Sequence, residues 1–310
     1  QEWKLLGGRA LSAKILLKEC DPTCDPLGAD NVLVMAPGTL SGTSAPTSGR
    51  LSLGCKSPLT NGIKEANVGG DPGQDLMKLG YRAVIVTGQP ADRSRRWGLK
   101  VNENGVELVA ADEYKGMWNY ALCEKLLADA PKSASVISIG PAGEMMMKGA
   151  SIACTDDDKA RRPARQAARG GVGAVMGSKC LKWVLVDPAK SSLRRPADRK
   201  AFAAYTKEFS KDYRAARHGN FKYGTSAVVP AVSWPPISSC TIGAEPRYGT
   251  ETSGAPLSRA MRTILAWLPA DALGGAICIV FSESNSSRVS AQQTQRESCP
   301  RPSAPHGACC

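Results

Sequence analysis

Trp97-Gly98-Leu99-Lys100-Val101-Asn102-Glu103-Asn104-Gly105-Val106-Glu107-Leu108-Val109-Ala110 reads as a β-hairpin. Its arms, residues 97–101 and 106–110, flank Asn102-Glu103-Asn104-Gly105, and Asn and Gly there supply the backbone freedom of a tight turn. Upstream, residues 9–19 carry apolar residues at helical spacing and stop at Asp21-Pro22. Residues 32–36 read as a short buried strand. A Gly-, Ser-, Thr- and Pro-rich loop follows over 37–49, and 51–54 begin another strand. Asp71-Pro72 opens a helix over 71–79, with Pro at the first helical position. Residues 83–86 form a buried strand. Downstream, the pattern predicts a helix at 119–130, strands at 134–140 and 150–154, a helix at 172–181, a strand at 183–186 and a long charged helix at 198–217. Hairpins mixed with single helices predict an α+β fold rather than a regular βαβ winding. No sequence repeat at a fixed period accompanies it.

Bulk properties narrow the partners. The chain has 310 residues and a net charge of +12. That charge admits a polyanionic partner, a phosphate-bearing cofactor or nucleic acid, or simply a basic solvated surface. Nucleic acid is the weakest of these readings. No aromatic-and-basic stacking platform and no long Lys/Arg tract occurs, and Arg50, Arg165 and Arg169 sit near glycines instead. The 11 cysteines are mostly single, in apolar or mixed runs, as small core hydrophobes of a reducing compartment are; Cys20 and Cys24 form an isolated C-x3-C pair. With only 2 histidines, a His-rich metal site is excluded. Gln1-Glu2-Trp3 leads into a helical pattern rather than a charged segment and an apolar run. The apolar run at 272–281 is too short to span a bilayer. A cytoplasmic protein without membrane attachment is the expectation.

Three segments carry candidate chemistry. Ser44-Ala45-Pro46-Thr47-Ser48-Gly49-Arg50 is either a plain turn or a loop presenting N–H groups and one Arg to an anion. Ala66-Asn67-Val68-Gly69-Gly70-Asp71-Pro72 is either a helix-entry turn or a place where a phosphate approaches free N–H groups. In Arg165-Gln166-Ala167-Ala168-Arg169-Gly170-Gly171-Val172-Gly173-Ala174-Val175-Met176-Gly177-Ser178-Lys179, two Arg residues lead into glycines that open a helix. That suits a phosphate group, with charge from Arg and no Cβ in the way. It is neither a P-loop nor a dinucleotide fingerprint: the glycine spacing fails both, and no strand is read directly before it.

Together these segments resemble the N-terminal region of tungsten-containing aldehyde:ferredoxin oxidoreductases. Gly7-Gly8-Arg9-Ala10-Leu11, Ala36-Pro37-Gly38-Thr39-Leu40-Ser41-Gly42-Thr43, Lys56-Ser57-Pro58-Leu59-Thr60, Ile139-Gly140-Pro141-Ala142-Gly143-Glu144 and Lys222-Tyr223-Gly224-Thr225 complete the likeness, in order from about residue 3 to about 230. The resemblance implies two similar β-sheets related by a pseudo-twofold axis, with flanking helices. It implies two pterin-dithiolene molecules holding tungsten (or molybdenum) through their sulfurs, with Mg2+ bridging the pterin phosphates. Carried over by position, the cofactor-binding residues are Arg50, Asn67, Gly69, Arg165, Gln166, Ala168 and Arg169. Arg50 would face the cofactor head, and Arg165 and Arg169 would supply charge. Gly69 would permit close approach, and the main-chain oxygens of Asn67 and Gln166 would lie near Mg2+. The implied activity is oxidation of a small aldehyde to a carboxylic acid with ferredoxin as electron acceptor. A subunit of an aromatic-thioester-reducing complex and a non-catalytic pterin-binding module are the alternatives, and the resemblance leaves room for a homodimer. The catalytic residues are unknown.

Departures accompany the likeness. Ala168 stands where the family usually has Gly, the segment 156–163 is longer and more charged than usual, and the family's opening strands before Gly7-Gly8-Arg9 are missing. The resemblance also implies a [4Fe–4S] cluster on a C-x2-C-x3-C set plus a distant Cys, but Cys240, Cys278, Cys299, Cys309 and Cys310 lack that spacing, so no cluster is expected in this chain. The expected organisation is a metal-pterin domain at 1–190, the start of a truncated helical domain at 191–230, and an irregular tail at 231–310. A quarter of the tail's positions are Ser or Pro. Because the family pattern stops abruptly after Gly224-Thr225, the tail is expected to be an out-of-frame translation. Resequencing the coding DNA from codon 220 onward should find a second frame that continues the pattern to a C-x2-C-x3-C set; a confirmed frame with no such continuation overturns this.

Overall fold

The computed structural model describes residues 3, 5–156, 160–189 and 191–216, and the backbone of 276–281 and 288–292. The chain divides into two compact units, one of residues 1–195 with 269–310 and one of 196–268. The expected motif at 222–225 and most of the tail lie outside the described residues.

The first unit begins with helix α1 (Gly8–Glu19), strand β1 (Leu33–Pro37), β2 (Leu51–Lys56), β3 (Ile63–Val68), α2 (Pro72–Lys78) and β4 (Ala83–Gly88). It continues with the hairpin β5 (Trp97–Asn102) and β6 (Gly105–Ala110), then α3 (Asn119–Ala128), β7 (Ser135–Ser138), α4 (Pro141–Glu144), β8 (Ile152–Cys154), β9 (Arg165–Ala167), α5 (Val172–Ser178) and β10 (Leu181–Val186). The tail contributes β11 (Ala276–Phe281) and β12 (Arg288–Gln292). In the second unit α6 (Arg199–Ala216) starts at Asp198, whose Oδ1 accepts from Ala201 N at 2.8 Å.

The strands form two six-stranded sheets, ordered β12-β11-β4-β1-β2-β3 and β6-β5-β10-β7-β8-β9. The pairings match position by position. β11 runs parallel to β4 as β5 does to β10, and every other neighbour is antiparallel in both sheets. This is the α+β arrangement of two similar sheets that the sequence leads one to expect. The hairpin turns where predicted, with Asn102 paired to Gly105 and Asn104 N bonded to Asn102 Oδ1 at 2.9 Å.

Alternation along the strands builds three apolar layers. Leu51, Leu53, Cys55, Ala66 and Val68 of the first sheet and Ile137, Ile152, Cys154 and Ala167 of the second face a common core. That core also takes Leu76 from α2 and Val172, Val175 and Met176 from α5, so these two helices lie between the sheets. The outer faces are covered by α1 (Leu11, Ile15 and Leu16 against Val32, Val34, Ala36 and Ala83) and by α3 (Leu122, Cys123 and Leu126 against Val136 and Trp183). No helix among the described residues is long and apolar enough to cross a membrane.

Among the elements absent from the sequence reading, β3 and β9 each lie at one edge of their sheet. β3 has an irregular burial pattern, and two of the three residues of β9 are exposed, so neither shows a clean apolar period. A strand therefore does precede the glycine run, contrary to the reading of the residues.

Gly98 of β5 pairs with Trp183 of β10, and a Cβ at Gly98 would lie 2.2 Å from Trp183 Cζ2. The indole lies across the glycine and meets Tyr114 edge-to-face at 5.8 Å. Gly98→Ala should displace the ring and lower stability by about 1–3 kcal/mol, read by urea unfolding; an unchanged midpoint contradicts this packing.

Candidate functional site

The sequence-derived site residues lie on two equivalent strand-to-helix passages. β3 ends at Val68 and passes through Gly69, Gly70 and Asp71 into α2; β9 ends at Ala167 and passes through Ala168, Arg169, Gly170 and Gly171 into α5. Asn67 and Gln166 are each the next-to-last residue of their strand, with exposed side chains, while Val68 and Ala167 point into the core.

The first passage is built around Arg50, the residue before β2. The loop feeding it is fastened internally: Gly38 N donates to Arg50 O at 3.0 Å, Ser41 Oγ to Ser48 O at 2.7 Å, and Ser48 Oγ to Ala45 O at 2.8 Å. Gln74 of α2 accepts from Gly42 N and lies so close to Gly49 that a Cβ there would be 2.7 Å from its Nε2. Arg50 is thus delivered to β3, where its Nε donates to Asn67 Oδ1 at 2.5 Å and its Nη2 to Asn67 O at 3.3 Å. Glu65 ties the neighbouring positions, accepting from Ser52 Oγ at 2.9 Å, Asn67 Nδ2 at 3.2 Å and Arg9 Nε at 3.2 Å.

The second sheet meets the first passage at Gly69 and Gly70, through Arg165 of β9 and Thr155 just after β8. A Cβ on Gly69 would lie 3.4 Å from Arg50 Nη1 and 3.9 Å from Arg165 Cδ, so both cationic side chains flank this glycine. Gly70 adopts φ +97°, a Cβ there would be 2.3 Å from Thr155 O, and Asp71 N donates to that same carbonyl at 3.1 Å. Arg165 is charge-paired with Asp156, whose Oδ2 accepts from Nε at 2.7 Å; this bond and the carboxylate's charge raise the guanidinium's pKa further. Gln166 is fixed by Ser151 Oγ, which donates to its Oε1 at 2.8 Å, and by its own Nε2 to Pro163 O at 3.1 Å. Ala168 and Arg169 are exposed, and Arg169 makes no hydrogen bond or ion pair with a described residue.

The glycines after Arg169 serve packing. A Cβ at Gly170 would lie 2.3 Å from Lys64 Cγ, and Gly171 caps α5 at φ +72° with Lys148 O 2.2 Å from a Cβ position. Gly173 and Gly177 face backbone: a Cβ there would lie 2.4 Å from Ser151 O and 1.8 Å from Gly143 O, respectively. Gly173 N already donates to Ala150 O at 3.0 Å. Close packing within the chain therefore accounts for these four glycines.

Arg50, Gly69 and Arg165 are brought together; Asn67 joins them through Arg50, and Gln166, Ala168 and Arg169 through the chain of β9. Glu65, Lys64, Ser151 and Asp156 were not picked out as site residues. Their only signal is position beside the recognised motifs, with Asp156 opening the charged insertion. Among the described residues no group of three His, Cys, Asp or Glu side chains is placed to hold a metal ion. The site does fit an anionic, phosphate-bearing group: the exposed side chains of Arg50 and Arg165 flank a glycine whose missing side chain leaves the approach open, and exposed Arg169 lies on the loop after β9.

The family model of the aldehyde ferredoxin oxidoreductase N-terminal domain matches residues 1–188. The tungsten-containing aldehyde ferredoxin oxidoreductase of Pyrococcus furiosus is 36% identical over 279 residues, covering 82% of this chain and 41% of that protein. Its counterpart in Thermococcus kodakarensis is 39% identical over 238 residues, covering 74% and 37%. The solved active site complex BamBC of benzoyl coenzyme A reductase, bound to 1,5-dienoyl-CoA, has a TM-score of 0.62 and 31% identity, covering 70% of this chain and 32% of that one. The chain spans about two fifths of the length of these curated relatives.

Gly70→Ala tests the junction of the first passage with the second sheet. With a disfavoured φ and the Thr155 carbonyl in the way, it should cost about 2–4 kcal/mol of stability, measured by urea unfolding; a cost below about 0.5 kcal/mol would mean that the first passage does not pack on the segment after β8.

Proposed function

Because this chain belongs to the aldehyde ferredoxin oxidoreductase family through its N-terminal domain, we propose that it is the cofactor-binding portion of a tungsten-pterin oxidoreductase that converts aldehydes to carboxylic acids. The observation that carries this is the convergence of Arg50 and Arg165 on Gly69, with exposed Arg169 on the adjoining loop. When bound, the metal-pterin group supplies the two-electron acceptor for aldehyde oxidation, and ferredoxin is the proposed destination of the electrons.

This chain's own residues bind and orient. Arg50 and Arg165 present N–H donors to phosphate oxygens, and Arg169 adds a third charge. Asp156 holds Arg165 in place and offsets part of its charge, which leaves the site net positive. Gly69 keeps the approach open, whereas the methyl of Ala168 narrows it at the equivalent place. Mg2+ at the main-chain oxygens of Asn67 and Gln166 is part of the same proposal. It requires the Arg50 guanidinium to leave Asn67 O, since a cation and a positively charged donor repel each other at one carbonyl.

A second reading, a subunit of an aromatic-thioester-reducing complex, draws on the likeness to the benzoyl coenzyme A reductase complex. The breadth of relatives, which includes the WOR-like subunit of a Pyrococcus furiosus aliphatic sulfonate oxidoreductase at 31% identity, leaves the substrate pocket open.

The test is to produce the chain in a host supplied with tungstate and molybdate, then measure bound metal by mass spectrometry and released pterin by fluorescence. The wild type should retain both. Arg50→Ala and Arg165→Ala should each weaken retention roughly tenfold to a hundredfold, as expected for losing a charge-assisted contact. Retention unchanged in the double variant overturns the site. Bound pterin without aldehyde-dependent dye reduction favours the non-catalytic module, and reduction with an aromatic thioester alone favours the second reading.

A further inference from the structure

Two thiols that the cofactor site does not use face each other where α1 ends. Cys20 is the C-cap of the helix, and Cys24 N donates to Asp21 O at 3.2 Å, a turn that folds Cys24 back toward Cys20. Their Sγ atoms are 3.8 Å apart, both partly exposed, and neither is in a disulfide. The other described cysteines, Cys55, Cys123, Cys154 and Cys180, are buried.

The turn is held independently of the sulfurs. Asp21 Oδ1 accepts from Thr23 N at 2.7 Å and from Thr23 Oγ1 at 2.6 Å, and the Lys56 ammonium donates to Pro22 O and Cys24 O, each at 2.6 Å. With the backbone fixed, the sulfurs need only approach by roughly 2 Å to reach bonding distance, within the range of side-chain rotation.

We propose that Cys20 and Cys24 form an oxidisable dithiol, a modification site for small-molecule disulfides of the glutathione type. The thiolate of one cysteine attacks the small disulfide, forming a mixed disulfide and expelling one thiolate. The second cysteine then attacks the protein-side sulfur, closes the Cys20–Cys24 bond and releases the second thiolate. Two protein thiols are oxidised, one small disulfide is reduced to two thiols, and the thiol protons pass to solvent or to the leaving thiolates. Burial, and next the adjoining Cys20 thiol, push the Cys24 thiol up to about 11, so the exchange quickens as pH rises. Closure also withdraws the Cys20 thiol from Asn31 Oδ1, 3.7 Å away, and Asn31 is the side chain that clamps the backbone of Lys56. Oxidation therefore acts on the segment that leads through Ser57, whose Oγ donates to Gly170 O at 2.9 Å, toward the loop carrying Arg169.

Trypsin releases residues 19–50 as one peptide, bounded by Lys18 and Arg50, with Cys20 and Cys24 as its only cysteines. The reduced full chain is exposed to excess oxidised glutathione, quenched with acid, digested and weighed. Peptide 19–50 should lose two hydrogens before the peptides bearing Cys55, Cys123 or Cys154 change, and faster at higher pH. In Cys24→Ser the same peptide should instead keep one glutathione on Cys20. Persistent glutathione adducts on wild-type 19–50, or a peptide that stays reduced while buried cysteines react, overturns the proposal, as does a Cys24→Ser chain that takes up no glutathione.

Discussion

Helix α5 has a β-sheet on each side, and the rest of the fold is arranged to permit that. Every one of its residues is buried, so it has no solvent face on which large polar side chains could sit. Two of its residues face other backbone segments too closely for any side chain: Gly173 against Ala150 and Ser151, and Gly177 against Gly143. The glycines let the helix settle between the sheets at contact distance, where Val172, Val175 and Met176 join the common core. The same settling fixes β9 and the loop with Ala168 and Arg169, because that loop is the entry to the helix. The position of the charged side chains is thus a consequence of backbone packing several residues away.

Buried lysines perform a related service. Lys179 donates to Gly28 O and Ala29 O at 3.0 and 2.8 Å, Lys56 to Pro22 O and Cys24 O, and Lys182 to Met117 O and to Glu144. Each ties loop carbonyls to the core with a charged donor. Burial lowers the Lys179 ammonium to about 8, and it lowers that of Lys182 against the opposing pull of the Glu144 carboxylate. Part of the basic surplus in the composition is therefore internal wiring. The net charge alone overstates the case for an external polyanion, and the three exposed arginines of the site carry that case better than the total does.

Legibility in the sequence followed burial. β1, β2, β4, β7 and β10 are apolar on one or both faces and read directly, as does the hairpin, whose turn residues dictate its geometry. α1, α3 and α6 show helical spacing and read almost to their ends. What escaped notice lies at edges: β3 and β9 carry the site residues on their solvent side, so their alternation is broken by the chemistry they present. The internal symmetry is one of pairing and not of sequence, so it was legible through the family resemblance and not as a repeat. Gly69-Gly70-Asp71 and Ala168-Arg169-Gly170-Gly171 occupy equivalent passages with different residues and different lengths. The glycine run was recognised as important, but its isolated reading as a phosphate approach could not reveal that Gly143, Ala150 and Lys64 arrive from elsewhere in the chain to fill the space.

The symmetry also explains why the two passages are not interchangeable. On the first, the cation comes from outside the strand: Arg50 crosses from the start of β2 and is steadied by Asn67 of β3. On the second, the cation belongs to the strand itself, and Arg165 is steadied by Asp156, an anion. A neutral amide leaves the full charge of Arg50 available to a ligand, whereas a carboxylate at 2.7 Å leaves Arg165 less. Arg169, without a described partner, restores charge on the second side. Two equivalent backbones thus present unequal fields, stronger per arginine at the first passage and shared between two arginines at the second. A ligand with two similar anionic ends would be held by both passages in the same geometry but by different means, and substitutions at Arg50 should be felt more sharply than those at either Arg165 or Arg169 alone.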